Sequence, residues 1–278
     1  MADFAKQAKA QNINVVNKFE SNIKELLAVL GKSDVSVMAP GTAMTIYKSA
    51  GTLASGTVAE NGEIPASDIK MQPEKVVELT YSKYRKLTGI ESIGKKGYDI
   101  AVAGSNTAML KDVQAAVRKS IYDGIKLGTG TATGATTFQM ACAKAWGEVT
   151  KAFEGEAATP VFFANPIDVA EYLGAAAVTT QTAFGMQYIQ NFMGLGHVLI
   201  DTNVPEGTVI GTAVENIDVC AASIDSIPGM DMTTDGSGII AVHNGAKYEN
   251  GAIQTVAYCG LAAFPVFLDR VVKATFAA

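Results

Sequence analysis

The sequence predicts an α+β protein on three observations. Two stretches repeat apolar residues at helical spacing, and one of them is long. Two strand-like segments flank a piece rich in Gly, Ala, Ser and charge. The second half alternates or runs apolar in short pieces between turn residues. With 48% apolar residues over 278 positions, the chain has enough material for a sizeable core, so disorder is excluded for most of it. No run of about 18 uncharged apolar residues is present, so no membrane-spanning helix is expected. The start, Met1-Ala-Asp-Phe-Ala-Lys, does not read as a secretory signal.

The first helix is expected over 13–30. Val16, Phe19, Ile23, Leu26 and Leu30 recur at spacings of 3 and 4, and Gly31 ends the pattern. It is too short for a free coiled coil. Its stripe must dock on the rest of the fold or on another subunit, which makes Phe19, Ile23 and Leu26 candidate contacts between subunits. Residues 42–47 alternate like a strand. So do residues 76–88, with Val77, Leu79 and Tyr81 on one face. A connection this long between them is usually a lid, a binding arm or a disordered segment. The two strands would form a projecting hairpin that cannot bury both its faces on its own chain. Val77, Leu79 and Tyr81 join the candidate contacts.

Residues 100–126 give the longest helix, with Leu110, Val113, Val117, Ile121 and Ile125 along one face. Ser105 or Asn106 would cap a shorter version. Lys111, Arg118, Lys119 and Lys126 lie on another face. That basic stripe is either a solvated face or a surface for nucleic-acid phosphate read without sequence. Residues 128–136 are rich in Gly and Thr. They follow a helix, lack a Lys-Ser/Thr ending and lack G-x-G-x-x-G spacing, so a flexible connector is expected rather than a phosphate loop. A helix follows over 137–153, then a short buried strand Val161-Phe-Phe-Ala. Asn165-Pro-Ile-Asp supplies an N-cap, a first-position proline and a first-turn acid for a helix at 166–173. Strands are then expected at 197–201, 208–211, 217–221, 239–243 and 253–258.

Little chemistry is written into the chain. It has two histidines (His197 and His243) without metal-ligand spacing, and three separated cysteines that read as buried hydrophobes. Asp231, Asp235 and Gly236 lack the spacing of a calcium loop and read as a surface turn. No G-x-S-x-G occurs and no acid–base pair stands out. No catalytic residue, metal or cofactor is expected. Residues 1–128 carry 17 basic and 13 acidic side chains, net +4. Residues 129–278 carry 5 and 14, net -9. Such a split suits head-to-tail attraction between copies or contact with a polyanion.

Three stretches in this order resemble the major capsid proteins of tailed bacteriophages, the Hong Kong 97 type. They are Ile121-Tyr-Asp-Gly-Ile-Lys-Leu-Gly-Thr-Gly, Phe163-Ala-Asn-Pro-Ile-Asp-Val-Ala-Glu-Tyr-Leu, and Gly194-Leu-Gly-His-Val-Leu-Ile-Asp-Thr-Asn-Val-Pro-Glu-Gly-Thr-Val-Ile. The resemblance covers about residues 35–278 and implies a capsid fold in four parts. These are an N-terminal arm (1–40), an extended loop with flanking strands (41–95), a peripheral domain on the spine helix (96–150) and an axial domain (151–278) whose last strands return to the peripheral part. It implies a virion shell of hexamers and pentamers around double-stranded DNA, assembled in a host cytoplasm. A separate scaffolding protein and a portal would be partners, or the helix at 13–30 does part of the scaffolding task. Some members link a loop lysine to an asparagine of a neighbour; Lys70 would be the candidate lysine and contact here, but no asparagine matches it and no crosslink is claimed. The stripe Lys111, Arg118, Lys119, Lys126 would face the DNA. Two alternatives stand beside this reading: an encapsulin-like compartment, and a nucleotide-binding enzyme using residues 128–136.

Overall fold

The computed structural model describes residues 2–30, 32, 35–51, 54, 56–59, 62–175, 180–183, 186–224 and 231–276. The elements in chain order are α1 (Ala2–Val29), β1 (Ser36–Met38), β2 (Ala43–Ala50), β3 (Lys70–Glu78), β4 (Ser82–Gly89), α2 (Ile90–Lys96), α3 (Tyr98–Ile125), β5 (Gly130–Ala132), α4 (Phe138–Ala152), β6 (Pro160–Ala164), α5 (Pro166–Ala175), β7 (Gln181–Ala183), β8 (Met186–Phe192), β9 (Gly196–Ile200), β10 (Thr208–Ala213), β11 (Ile217–Ala222), β12 (Thr233–Thr234), β13 (Ile240–Lys247), β14 (Ala252–Cys259), β15 (Leu261–Pro265) and β16 (Val272–Thr275). The α+β expectation holds. Gly31, expected to end the first helix, lies outside the described residues.

Two layered bodies share the chain. In the first, the order β12-β13-β14-β4 forms an antiparallel sheet. Its inner face carries Ile240, Val242, Ala257 and Cys259, and α1 and α3 pack on the same core. The spine α3 has 28 residues, about 42 Å at 1.5 Å per residue. It starts earlier than expected, at Tyr98 after Gly97, whose φ of +81° favours glycine. In the second body, seven strands run in the order β5-β16-β10-β6-β9-β8-β7. Helix α4 covers them through Phe138, Ala141, Cys142, Ala145 and Val149. Thr137 caps α4 by accepting the Met140 N–H at 3.3 Å. This sheet is mixed rather than antiparallel: β6 pairs with β9 in parallel, as does β5 with β16.

Residues 128–136 are a correction. They are not a loose connector, because Gly130–Ala132 is β5, paired with Val272–Ala274. A Cβ at Gly128 would sit 2.5 Å from the Val271 side chain, so glycine here lets two backbones meet. The Lys144 ammonium donates to the Thr133 and Gly134 carbonyls at 2.7 Å each. The N–H groups of Thr129 and Gly130 donate to Leu268 and Val271, so the segment's polarity is spent inside the fold.

A buried polar seam ties α1, the sheet and α3 together. Asn244 donates to Asn12 at 2.7 Å, and the Thr255 hydroxyl donates to Asn244. Thr255 lies 3.1 Å from the Asn106 carboxamide. A hydroxyl has one proton. With that proton committed to Asn244, the Thr255 oxygen takes an N–H from Asn106, whose amide nitrogen otherwise has no partner. The donors then run one way, Asn106 to Thr255 to Asn244 to Asn12. Asn106 is therefore an interior residue of α3 and not its cap.

The strand-to-helix step is built as expected. Asn165 accepts the Ile167 N–H at 2.9 Å and donates to the Val204 carbonyl at 2.6 Å. Asp168 is buried and accepts the Gly207 N–H at 3.0 and 3.1 Å, which clamps the Pro205-Glu206-Gly207 turn. Burial raises the Asp168 carboxyl above its ordinary value, and the Gly207 N–H only partly offsets this. A group raised in the fold contributes stability that is complete below its unfolded pKa and lost as pH rises through the folded one. Asp168→Asn keeps the acceptor and removes the buried charge. Its melting temperature is therefore expected to exceed the wild type's at pH 7. The gap should close as pH falls below the ordinary carboxylate range. A gap that widens on acidification would refute this.

Asp235 is a second correction. It is buried, and its carboxylate accepts the Ile239 and Ile240 N–H groups at 2.7 and 3.0 Å. It shapes the entry to β13 rather than decorating a surface turn.

Candidate assembly surfaces

The β2–β3 hairpin pairs Ala43 with Glu78 at one end and Ala50 with Lys70 at the other. Its register slips between Ile46 and Tyr47, opposite Pro73, which has no N–H to give. The root is anchored: Ile46 and Leu79 are buried with Cys220, Ala222, Phe264 and Leu268. Beyond the root β3 is exposed along its length, apart from the half-buried Val77. Ile69, Met71 and Val76 stand in solvent. A two-stranded ribbon gains too little by itself to hold such a shape. This is the surface of the molecule most in need of a neighbour.

The hairpin's predicted contacts divide. Lys70 sits at the far end of the ribbon and pairs with Asp68 at 2.8 Å, both exposed. Residues 76–88 are not one strand. Strand β3 ends at Glu78, and β4 begins at Ser82 in another sheet. At this crossing Leu79 is buried, and the half-buried Tyr81 donates its hydroxyl to the Ser223 carbonyl. Val77, Leu79 and Tyr81 therefore do not form one outward face. Leu79 and Tyr81 fasten the hairpin to its own body.

The stripe of α1 is spent in the same way. Phe19, Ile23 and Leu26 are 1%, 4% and 2% exposed and join the core with Val113, Val117 and Val242. Of the two docking sites the sequence allows, α1 uses its own chain. The helix is longer than its large apolar residues signal, because Ala8 and Asn12 extend the inward stripe.

On α3, Lys111, Lys119 and Lys126 are exposed and Arg118 is half-buried. Lys119 and Lys126 both bind Asp123, the first at 2.7 Å. Hydrogen bonds from these two ammonium groups hold the Asp123 carboxyl below its usual range. Exposed pairs of this kind contribute little stability. The stripe is thus weaker in net charge than its sequence suggests. Nearby, Lys86 pairs with Asp112 at 2.9 Å.

Among the described residues no cluster of His, Cys, Asp and Glu is arranged to hold a metal ion. No helix among them is long and apolar enough to cross a membrane. His197 accepts the Asn191 N–H at 3.2 Å, and His243 contacts the Asp231 carbonyl. Cys142, Cys220 and Cys259 are buried, and burial pushes their thiols up to about 12, 11 and 11.

The sequence matches no family model and no curated protein. The structure does match known structures, over nearly the whole chain. The virus-like particle from Pyrococcus furiosus aligns with a TM-score of 0.56 and 14% identity, over 97% of this chain and 98% of that one. The capsid of Cyanophage A-1(L) aligns at 0.52 and 10%, over 90% and 92%. The fold is the Hong Kong 97 type capsid fold. The holo-SrpI encapsulin complex from Synechococcus elongatus PCC 7942 also shares this capsid fold, at 0.51 and 10%, over 87% and 84%. In the terms of the capsid fold, β2–β3 is the extended loop and α3 the spine helix.

Proposed function

We propose that this chain is the major capsid protein of a tailed phage. Hexamers and pentamers of it would close into an icosahedral head around double-stranded DNA. The observation that carries this is an exposed, unsupported hairpin on a chain that matches capsid structures from end to end. The role is structural rather than catalytic. A separate scaffolding protein and a portal are the partners that assembly in a host cell would call for. Expression of the chain, alone and with a scaffold, followed by electron microscopy and light scattering, tests the reading. Closed particles or capsomers are expected. A monodisperse 29.0 kDa species across salt and concentration would overturn it.

The likeness to an encapsulin complex favours a second reading, an encapsulin-like compartment with a protein cargo. The content of purified particles separates the two: nucleic acid for a head, protein for a compartment.

For a head, Lys111, Arg118, Lys119 and Lys126 face the packaged DNA and touch only phosphate. Their combined change to Gln should leave particles closed. DNA should escape at lower salt than from the wild type, whatever its sequence. The effect is small because Asp123 already holds two of the four. A particle map with these side chains on the outer surface would exclude it.

A further inference from the structure

Backbone strain gathers at one hairpin of the seven-stranded sheet. Among the described residues, Asn191 and Met193 are the only ones besides glycine with positive φ, at +48° and +54°. Asparagine tolerates that region, whereas methionine enters it against its own preference. Both residues sit at the end of the β8–β9 hairpin. Ile189 pairs with Val198 and Phe192 with Gly196. Between these pairs β8 has two residues, Gln190 and Asn191, against the single His197 on β9. The extra residue is a bulge, which leaves an N–H outside the ladder. The Asn191 N–H goes instead to His197 Nδ1, at 3.2 Å. Past the bulge, the Leu195 N–H donates to the Phe192 carbonyl at 2.9 Å and closes a turn over Met193 and Gly194. Gly194 has φ +75°, so both central residues are left-handed, the pattern that suits a hairpin's twist. Met193 is 53% exposed, so packing does little to hold it there.

The bond from Asn191 has a chemical condition. Nδ1 accepts only in the neutral ring, with the proton on Nε2. A second proton turns the acceptor into a donor that faces another donor. On the strands around it no carboxylate stands ready to take the new charge. Strand β9 pairs with β8 and β6, and neither carries Asp, Glu, Lys or Arg; β7, beyond β8, adds none. The other titratable group on these strands is Tyr188, whose hydroxyl donates to Gln181. Past the strand ends, Glu215 accepts from Thr159 and Asp201 from Asn203. The chain's second histidine is built the opposite way. His243 Nδ1 meets the Asp231 carbonyl, so that ring already donates and keeps its bond in acid.

We propose that His197 is a pH-sensitive latch on the β8–β9 hairpin. With the ring neutral, Nδ1 holds the bulge and, through it, the left-handed tip from Asn191 to Gly194. With the ring protonated, that bond is lost and the tip relaxes out of its disfavoured conformation. Histidine suits the role because its side chain changes charge between about pH 5 and 8. The device lies within one subunit and stands or falls independently of the shell reading.

Hydrogen exchange read by mass spectrometry on the purified subunit tests it, at pH 8 and pH 5 with rates corrected for the intrinsic effect of pH. Protection over 187–197 should fall about three- to tenfold at pH 5, the worth of one hydrogen bond. Protection of β10 and β13 should not change. His197→Asn supplies an acceptor oxygen that does not titrate, and it keeps every other titrating group of the chain. It should stay protected at both pH values. His197→Leu has no acceptor and should be poorly protected at both. Equal wild-type protection at the two pH values overturns the proposal. So does a His197→Asn variant that loses protection at pH 5 as the wild type does, because another group would then be the sensor. A loss shared equally by β10 and β13 is general acid unfolding and also overturns it.

Discussion

Replacing residues 51–69 with a short turn leaves a folded subunit that no longer closes into particles. The expectation follows from where the hairpin's free energy comes from. Its root is held by Ile46 and Leu79 in a small core with Phe264 and Leu268, which the replacement does not touch. The Tyr47 N–H still donates to the Val266 carbonyl at 3.1 Å. The removed part includes Ile64 and Ile69, which are exposed on the subunit. Their loss costs the isolated chain almost nothing, while a neighbour that covers them loses its contact. Circular dichroism should show melting within a few degrees of wild type. Light scattering should show no particles. Normal shells from the shortened chain would remove the hairpin from the assembly mechanism, and a collapsed melting curve would mean that it supports its own body.

Phe19→Ala is expected to lower the stability of the unassembled subunit by about 3–5 kcal/mol. Phe19 is 1% exposed in the core shared by α1, α3 and the sheet. Truncation leaves a cavity in the core that α1 shares with α3 and the sheet. The predicted loss corresponds to a fall in melting temperature of roughly 10 °C for a domain of this size. The experiment separates the two roles a helical stripe can have. A contact between subunits would leave the monomer's melting unchanged and weaken only assembly. A denaturation midpoint equal to wild type would return Phe19 to the subunit interface.

Much of the fold is legible where side-chain period matches element period. The spine helix, Asn165-Pro166 and the strands around 197–201, 208–211 and 217–221 were all visible because inward positions hold large apolar residues. Strand β8 shows why others were hidden. Its buried residues are Met186, Ile189 and Phe192, three apart, which is a helical interval. A register shift between Ile189 and Phe192, with Asn191 at φ +48°, produces that interval on a strand. Strand β1 is three residues long and takes its place from pairing with β11. The candidate contacts are only partly legible for a different reason. Hydrophobic spacing marks which side of an element seeks cover and is silent on whose atoms provide it. Phe19, Leu79 and Tyr81 found that cover within the chain.

The polar seam through Asn12 has a consequence for how α1 comes loose. Below the seam, toward the carboxyl end, the helix is gripped by Val15, Val16, Phe19, Ile23, Leu26, Leu27 and Leu30. Above it, the described grip is Ala8 alone. At the seam itself, Asn12 and Asn244 can exchange each other for water, which both solvate readily. Detaching the rest exposes a whole apolar row. Amide protons after Asn12 are therefore expected to exchange with solvent only when that apolar row comes off the core, and hydrogen exchange across the helix checks this.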